Sequence, residues 1–111
     1  MLITSRRVDQ GISIEDFDLT IASIVNAPEI WAELDEEVSP GIWVKIDGPS
    51  VPFRIRGSDF LPEDMPLAYF KVGSSIQLGE KFGVNVEFQS VGTKNVRLAI
   101  EGVGKGTVGY F

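Results

Sequence analysis

Apolar side chains return at every second position through most of this chain. A repeat of two belongs to the β-strand, whose successive side chains point to opposite faces. The first 25 residues, MLITSRRVDQGISIEDFDLTIASIV, set the pattern. Leu2 and Ile3 open it and Arg6 and Arg7 follow. Ile12, Ile14, Phe17, Leu19, Ile21 and Ile24 then form an apolar side, interspersed with Asp9, Gln10, Ser13, Glu15, Asp18 and Thr20. Residues 1–8, 11–15 and 17–25 read as strands, with a break at Glu15-Asp16 and a turn over Val8–Gly11 in which Gly11 is free to take positive φ.

The same spacing recurs in GIWVKI (41–46), VPFRIR (51–56), LAYFKV (67–72), SIQL (75–78), FGVNVEF (82–88) and NVRLAIEG (95–102). Between these lie Asp47-Gly48-Pro49-Ser50, a loop over 57–66 with two prolines, Gly73-Ser74-Ser75, Gly79-Glu80-Lys81 and Ser90–Thr93, all turn chemistry. Pro52 cannot donate to a ladder, which marks 51–56 as an edge strand. One segment departs from the repeat. Asn26 is a capping residue, Pro28 suits a first helical turn, Glu29 lies at the capping-box distance, and Ile30, Leu34 and Val38 recur at helical spacing. The spacing predicts a short helix near 26–38, ended by Pro40-Gly41.

Roughly eight to ten short strands and one helix imply an all-β fold, a small antiparallel β-sandwich or barrel-like domain. A length of 111 residues suits one domain over 1–111, and 43% apolar residues suffice for a core. No run reaches the roughly 18 apolar residues of a membrane helix. Arg6 and Arg7 fall where the apolar part of a signal peptide would begin, so a cytoplasmic setting is expected.

The chain contains no cysteine and no histidine. Disulfides, thiolate zinc sites, cysteine nucleophiles and the usual general base of serine hydrolases are thereby closed. A carboxylate-dependent enzyme stays open in principle, but no paired-acid motif supports it. A non-enzymatic protein without cofactor or metal is expected. The net charge of −6 resides in residues 26–90, since 1–25 carry −2 and 91–111 carry +2. Acidic proteins bind nucleic acid poorly unless local positive charge offsets phosphate repulsion.

Several stretches invite a site. GVGKGT (102–107) fails as a phosphate loop, because Ala99 stands where the motif needs its first glycine and Gly106 where it needs Ser or Thr. Glu33, Asp35, Glu36 and Glu37 lack the spacing of a calcium loop and read as a solvated face. Arg54 and Arg56, two apart, share one strand face and could grip a phosphate or an acidic partner, or simply balance nearby acids. Arg6 and Arg7 point to opposite faces. Trp31, Trp43, Phe53, Phe60, Tyr69 and Phe70 read as core. Tyr110-Phe111 is harder to bury and is the better intermolecular anchor.

MLITSRRVDQGISI, with its Met-Leu start, arginine pair and Ile-x-Ile strand, resembles the opening of the carbon storage regulator family of bacterial RNA-binding translational regulators. FDLTIASIV resembles that family's next strand, and NVRLAIEG its Val-Arg-Leu-x-Ile-Glu strand. In a second alignment SSIQLGEKFGVNVEF (74–88) takes the place of residues 11–25 as its middle strands. The resemblance covers residues 1–25 and about 91–108 and leaves 26–90 as an acidic insertion. It implies an intertwined β-dimer that binds GGA-containing RNA hairpins through Leu2, Ile3, Thr4, Ser5, Arg6 and Arg7. In this chain Tyr110 falls where the family carries an RNA-reading arginine, and the family's C-terminal helix has no counterpart.

Two functional readings follow. One is an RNA-binding post-transcriptional regulator of translation. The other is a protein–protein assembly module, such as a small virion or surface-structure component, with a β-sandwich fold and no nucleic-acid binding. SIQLGEKFGVNVEFQSVGTKNVRLAI, which reads like paired strands of an immunoglobulin-like sandwich, suits the second. Both readings imply a homo-oligomer and exclude a membrane. Arg54, Arg56, Tyr110 and Phe111 are the candidate partner-binding residues.

Overall fold

The computed structural model describes residues 1–14, 17–31, 36–48, 53–57, 67–79, 82–102 and 108–111. Its strands are β1 (Leu2–Arg7), β2 (Gly11–Ile14), β3 (Phe17–Val25), β4 (Glu29–Trp31), β5 (Glu36–Val38), β6 (Gly41–Asp47), β7 (Phe53–Arg56), β8 (Leu67–Lys71), β9 (Ser75–Leu78), β10 (Val84–Val91), β11 (Asn95–Glu101) and β12 (Val108–Tyr110). They form two five-stranded antiparallel sheets. The first runs β1-β11-β10-β9-β7 and the second β12-β2-β3-β6-β8, while β4 and β5 pair separately. The fold is all-β, as the alternation predicts.

The alternate residues of the two sheets meet in one apolar layer. Ile12, Ile14, Phe17, Leu19, Ile21, Ile42, Val44, Ala68 and Phe70 come from the second sheet, and Ile76, Leu78, Val86, Phe88, Val96, Leu98 and Ile100 from the first. Across this layer Phe70 meets Phe88 with ring centroids 4.4 Å apart, and Phe17 meets Phe53 edge-on at 5.7 Å. The acidic middle of the chain is woven into both sheets: β6 lies between β3 and β8, and β9 between β10 and β7. Strand β7 is an edge, in keeping with Pro52 just before it.

The chain changes sheet at corners. After β1 it turns through Val8–Gln10: Gln10 N–H donates to Arg7 C=O (3.0 Å), Asp9 N–H to Ile21 C=O (2.8 Å), and Ile21 N–H to Gln10 C=O (2.8 Å). The positive φ of this corner, 70°, falls on Asp9, not on Gly11 as expected. Asp tolerates the left-handed region better than most residues. Glycine is needed at 11 for another reason, since a Cβ there would strike the Leu19 carbonyl and sit 2.7 Å from the Phe111 ring. After β8, Gly73 N–H donates to Phe88 C=O and Phe88 N–H to Ser74 C=O, locking that corner onto the opposite sheet.

The helix expected near 26–38 is not formed by the described residues of that segment. Glu29–Trp31 and Glu36–Val38 are short paired strands, with Ile30 opposite Glu37; residues 32–35 lie outside the described set. The physical reason is a second apolar cluster. The β3–β6 register slips between Ile21 and Ser23, a bulge that reverses the side alternation. Before it, odd-numbered residues face the core. After it, Ile24 faces the core and Val25 turns outward. There Val25 packs with Val38, Tyr69 and Trp43, and the Tyr69 hydroxyl donates to the Ser39 carbonyl. Helix capping contributes about 1 kcal/mol. Burying a valine yields about 2 kcal/mol and the hydrogen bond about 1 more, so tertiary burial outweighs the local signal.

This outer cluster depends on the close approach of β6 to β8 at Gly41. A Cβ there would meet the Phe70 carbonyl and come within 2.7 Å of the Lys71 Cα and 2.8 Å of the Tyr69 hydroxyl. Gly41→Ala is therefore expected to cost about 2 kcal/mol. Thermal unfolding followed by circular dichroism would show a lower Tm, and an unchanged Tm would refute the contact.

Candidate functional site

Strands β1 and β12 are edges of different sheets, and the corner at Val8–Gln10 brings them to the same side of the sandwich. Register fixes which way each residue points. Leu2, Thr4 and Arg6 lie opposite the buried Ile100, Leu98 and Val96, so they share the core-facing side. Ile3, Ser5 and Arg7 lie opposite Ala99, Arg97 and Asn95 on the outer face. On β12, Tyr110 and Val108 lie opposite Ile12 and Ile14 and face inward.

Arg6 is half-buried in the seam between these edges. Its guanidinium lies 5.3 Å from the centroid of the Tyr110 ring, and Nη1 donates to the Phe111 carbonyl at 3.3 Å. Phe111 in turn exchanges two backbone hydrogen bonds with Gly11, at 2.8 and 3.2 Å. The flexible Arg6 stem thus closes a gap that an aliphatic side chain of β1 would otherwise fill, and its charge meets a π-face.

The backbone of β1 has a second side, turned away from β11. Arg6 Nε donates to Ser5 C=O at 2.9 Å, and Arg7 N–H donates to Gln10 Oε1 at 3.1 Å. Both groups therefore point to the open edge. In an antiparallel strand the outward groups belong to alternate residues, which gives Ile3 N–H, Ile3 C=O and Ser5 N–H the same direction. Among the described residues, the Arg7 end of the edge and the Ser5 carbonyl are covered by the protein's own side chains, while Ile3 N–H, Ile3 C=O and Ser5 N–H are open. Around it apolar surface collects. Among the described residues the exposed large hydrophobics are Met1, Leu2, Ile3, Val8, Leu67, Val72, Tyr110 and Phe111, and six of them lie on β1, its corner or the β12 end.

The candidates named from the sequence separate into two places. Leu2, Ile3, Thr4, Ser5, Arg6 and Arg7 form β1, and Arg6 joins that strand to Tyr110 and Phe111 at the seam. Arg54 and Arg56 stand on β7, at the other edge of the first sheet. Arg54 is held there, its Nε 2.5 Å from Gln77 Oε1 and its guanidinium 4.5 Å from the Phe82 ring centroid. Register places Arg56 opposite Ser75 and Arg54 opposite Gln77, so both share the outer face with Arg7 and Arg97. Two contributors were not singled out from the sequence. Gln10 read as a turn residue, and Arg97 as the polar half of an alternating strand; only register places one on the β1 edge and the other beside Ser5.

Among the described residues no group of acidic side chains is arranged to hold a metal ion, and no helix is long and apolar enough to cross a membrane. The seam offers backbone donors and acceptors beside apolar surface, which is the chemistry of docking. Comparison of the chain with family models, curated proteins and solved structures returns no match.

Replacing Arg6 by Ala removes both the contact with the Tyr110 ring and the hydrogen bond to Phe111. The expected loss is about 1–2 kcal/mol, since the pair is half-buried. Urea unfolding of Arg6→Ala and Tyr110→Ala, singly and together, would show a non-additive deficit. Strict additivity would mean that the two side chains do not act on each other.

Proposed function

We propose that this protein is a non-enzymatic binding module that joins a protein assembly by accepting an extended strand along β1. The open Ile3–Ser5 edge, flanked by exposed Leu2, Ile3 and Tyr110, is the observation that carries this reading. Unpaired edges template strand addition, and proteins that avoid it place charge, proline or a covering segment on them. Strand β7 follows that rule with its exposed Arg54 and Arg56. Strand β1 follows it only at the Arg6–Arg7 end. On this reading the protein works in the cytoplasm or inside an assembled particle such as a virion.

A second reading, RNA binding, has its own support. Of the five arginines in the chain, Arg7, Arg54, Arg56 and Arg97 lie on the outer face of the first sheet. Together with the resemblance to the carbon storage regulators, this favours contact with phosphates. It moves the contact from the β1 edge to the sheet face. Arg6 would then serve as the bolt of the seam and not as a reader.

A synthetic peptide of sequence MLITSRR, titrated into the isotope-labelled protein, tests the first reading. The Ile3 and Ser5 amides are expected to shift and to exchange more slowly with solvent. Unmoved Ile3 and Ser5 signals at peptide saturation would overturn it. Titration with a GGA-containing RNA hairpin tests the second. Four arginine–phosphate contacts predict a log–log salt slope of about −3, and a flat dependence would exclude them.

A further inference from the structure

We propose that the strand accepted along β1 is β1 of a second copy, running antiparallel about a twofold axis at Thr4 so that the two first sheets join into one. This inference rests on the strand-addition reading and deepens it by naming the occupant.

Register is decided by three constraints. The first is parity. Core-facing residues must pair with core-facing residues if both sandwiches are to keep their cores on the same side, because a slip of one residue turns every side chain over. That leaves pairings centred on Ile3, Thr4 or Ser5. The second is hydrogen bonding. The outward groups belong to Ile3 and Ser5, and centring on Thr4 sets Ile3 of each copy opposite Ser5 of the other. Both pairs then exchange N–H···O bonds, with Arg6 Nε releasing the Ser5 carbonyl. Centring on Ser5 sets Ile3 opposite Arg7, whose N–H is already held by Gln10. Centring on Ile3 gives one full pair within β1 and leaves Ser5 opposite Met1, before the strand begins.

The third constraint is charge. The strand LITSRR is apolar at one end and cationic at the other. Centred on Thr4, the Leu2 side chain of one copy lies beside the Arg6 stem of the second, and Thr4 meets Thr4, a favourable cross-strand pair. The two Arg6 residues are then four positions apart along the ribbon, about 13 Å at strand rise. Centring on Ser5 halves that distance and sets like charges against each other in a half-buried seam. The strand is thus complementary to itself in one register. Pairing in that register covers Leu2 and Ile3, which are 38% and 42% exposed in the single chain.

Light scattering on a size-exclusion column, over a concentration series, is expected to show a monomer–dimer equilibrium. Ser5→Pro removes an outward N–H without touching the ladder to β11, since proline is tolerated on an edge whose N–H faces solvent. With two donors lost per dimer, the dissociation constant is expected to rise about 30-fold. Ile3→Lys, which leaves every ladder bond in place, covers the case in which Ser5→Pro perturbs folding, and is expected to do the same. Because the chain has no cysteine, Thr4→Cys reports the register directly. Under oxidising conditions it should form a covalent dimer, and Arg7→Cys should not. A folded protein that stays monomeric at every concentration while still docking the MLITSRR peptide would overturn the homodimer and leave the strand-addition reading standing. Failure of the peptide as well would remove both. A dimer that survives Ser5→Pro and Ile3→Lys, or one that cross-links through Arg7→Cys and not Thr4→Cys, would overturn this interface.

Discussion

One apolar layer, fed by alternate residues of nine strands, holds the two sheets face to face, and the path of the chain is arranged to supply both sides of it. A strand buried on one face has no freedom to slip by a single residue, because the slip would bring its polar half into the layer. The corners at Val8–Gln10 and Val72–Ser74 transfer the chain between sheets with their backbone groups bonded to the opposite sheet. The first of these corners has the larger consequence for function. It sends β2 into the second sheet at once, so among the described strands β1 has β11 as its one neighbour and an outer side left open.

The seam beside that edge is closed by a cation. Arg6 reaches under β12 to the Tyr110 ring and the Phe111 carbonyl, and Gly11 makes room for the Phe111 ring. First and last strands therefore depend on each other. The same arginine also covers the Ser5 carbonyl, so one side chain both steadies the seam and shields part of the edge. The proposed docking at Ile3 and Ser5 would thus be coupled to the packing of the β12 end through a single guanidinium.

Period-two alternation made the strand content legible, and it placed the core-facing residues of β2 and β3, Ile24 included, on one side. Pro52 marked the edge position of β7. What alternation cannot encode is which strand lies beside which, because it reports a side and not a neighbour. That is why the two arginine pairs were readable as candidates but their separation to opposite edges of one sheet was not. Leu2–Arg7 and Tyr110–Phe111 were both singled out from the sequence, yet only the contacts of Arg6 with Tyr110 and Phe111 show that they meet. The segment from Asn26 to Val38 was misread for the same kind of reason. Its capping residues are local and visible, whereas the Tyr69 and Trp43 rings that bury Val38 lie in later strands. The turn before β2 was offset by two residues, with the strained conformation at Asp9 and the steric demand at Gly11.

The bulge at Ala22 has a consequence beyond the strand that carries it. By turning Val25 outward it creates a small apolar patch on the far side of the second sheet, separate from the main layer and roofed by Val38. Trp43 stands in that patch, edge-on to Tyr69 at 5.3 Å. In a Trp31→Phe variant the Trp43 indole is the single tryptophan and a local optical probe. Its emission follows the fastening of the 26–40 excursion, while far-ultraviolet ellipticity follows the sheets, and the two signals can part company if that excursion lifts away while the sandwich stays intact.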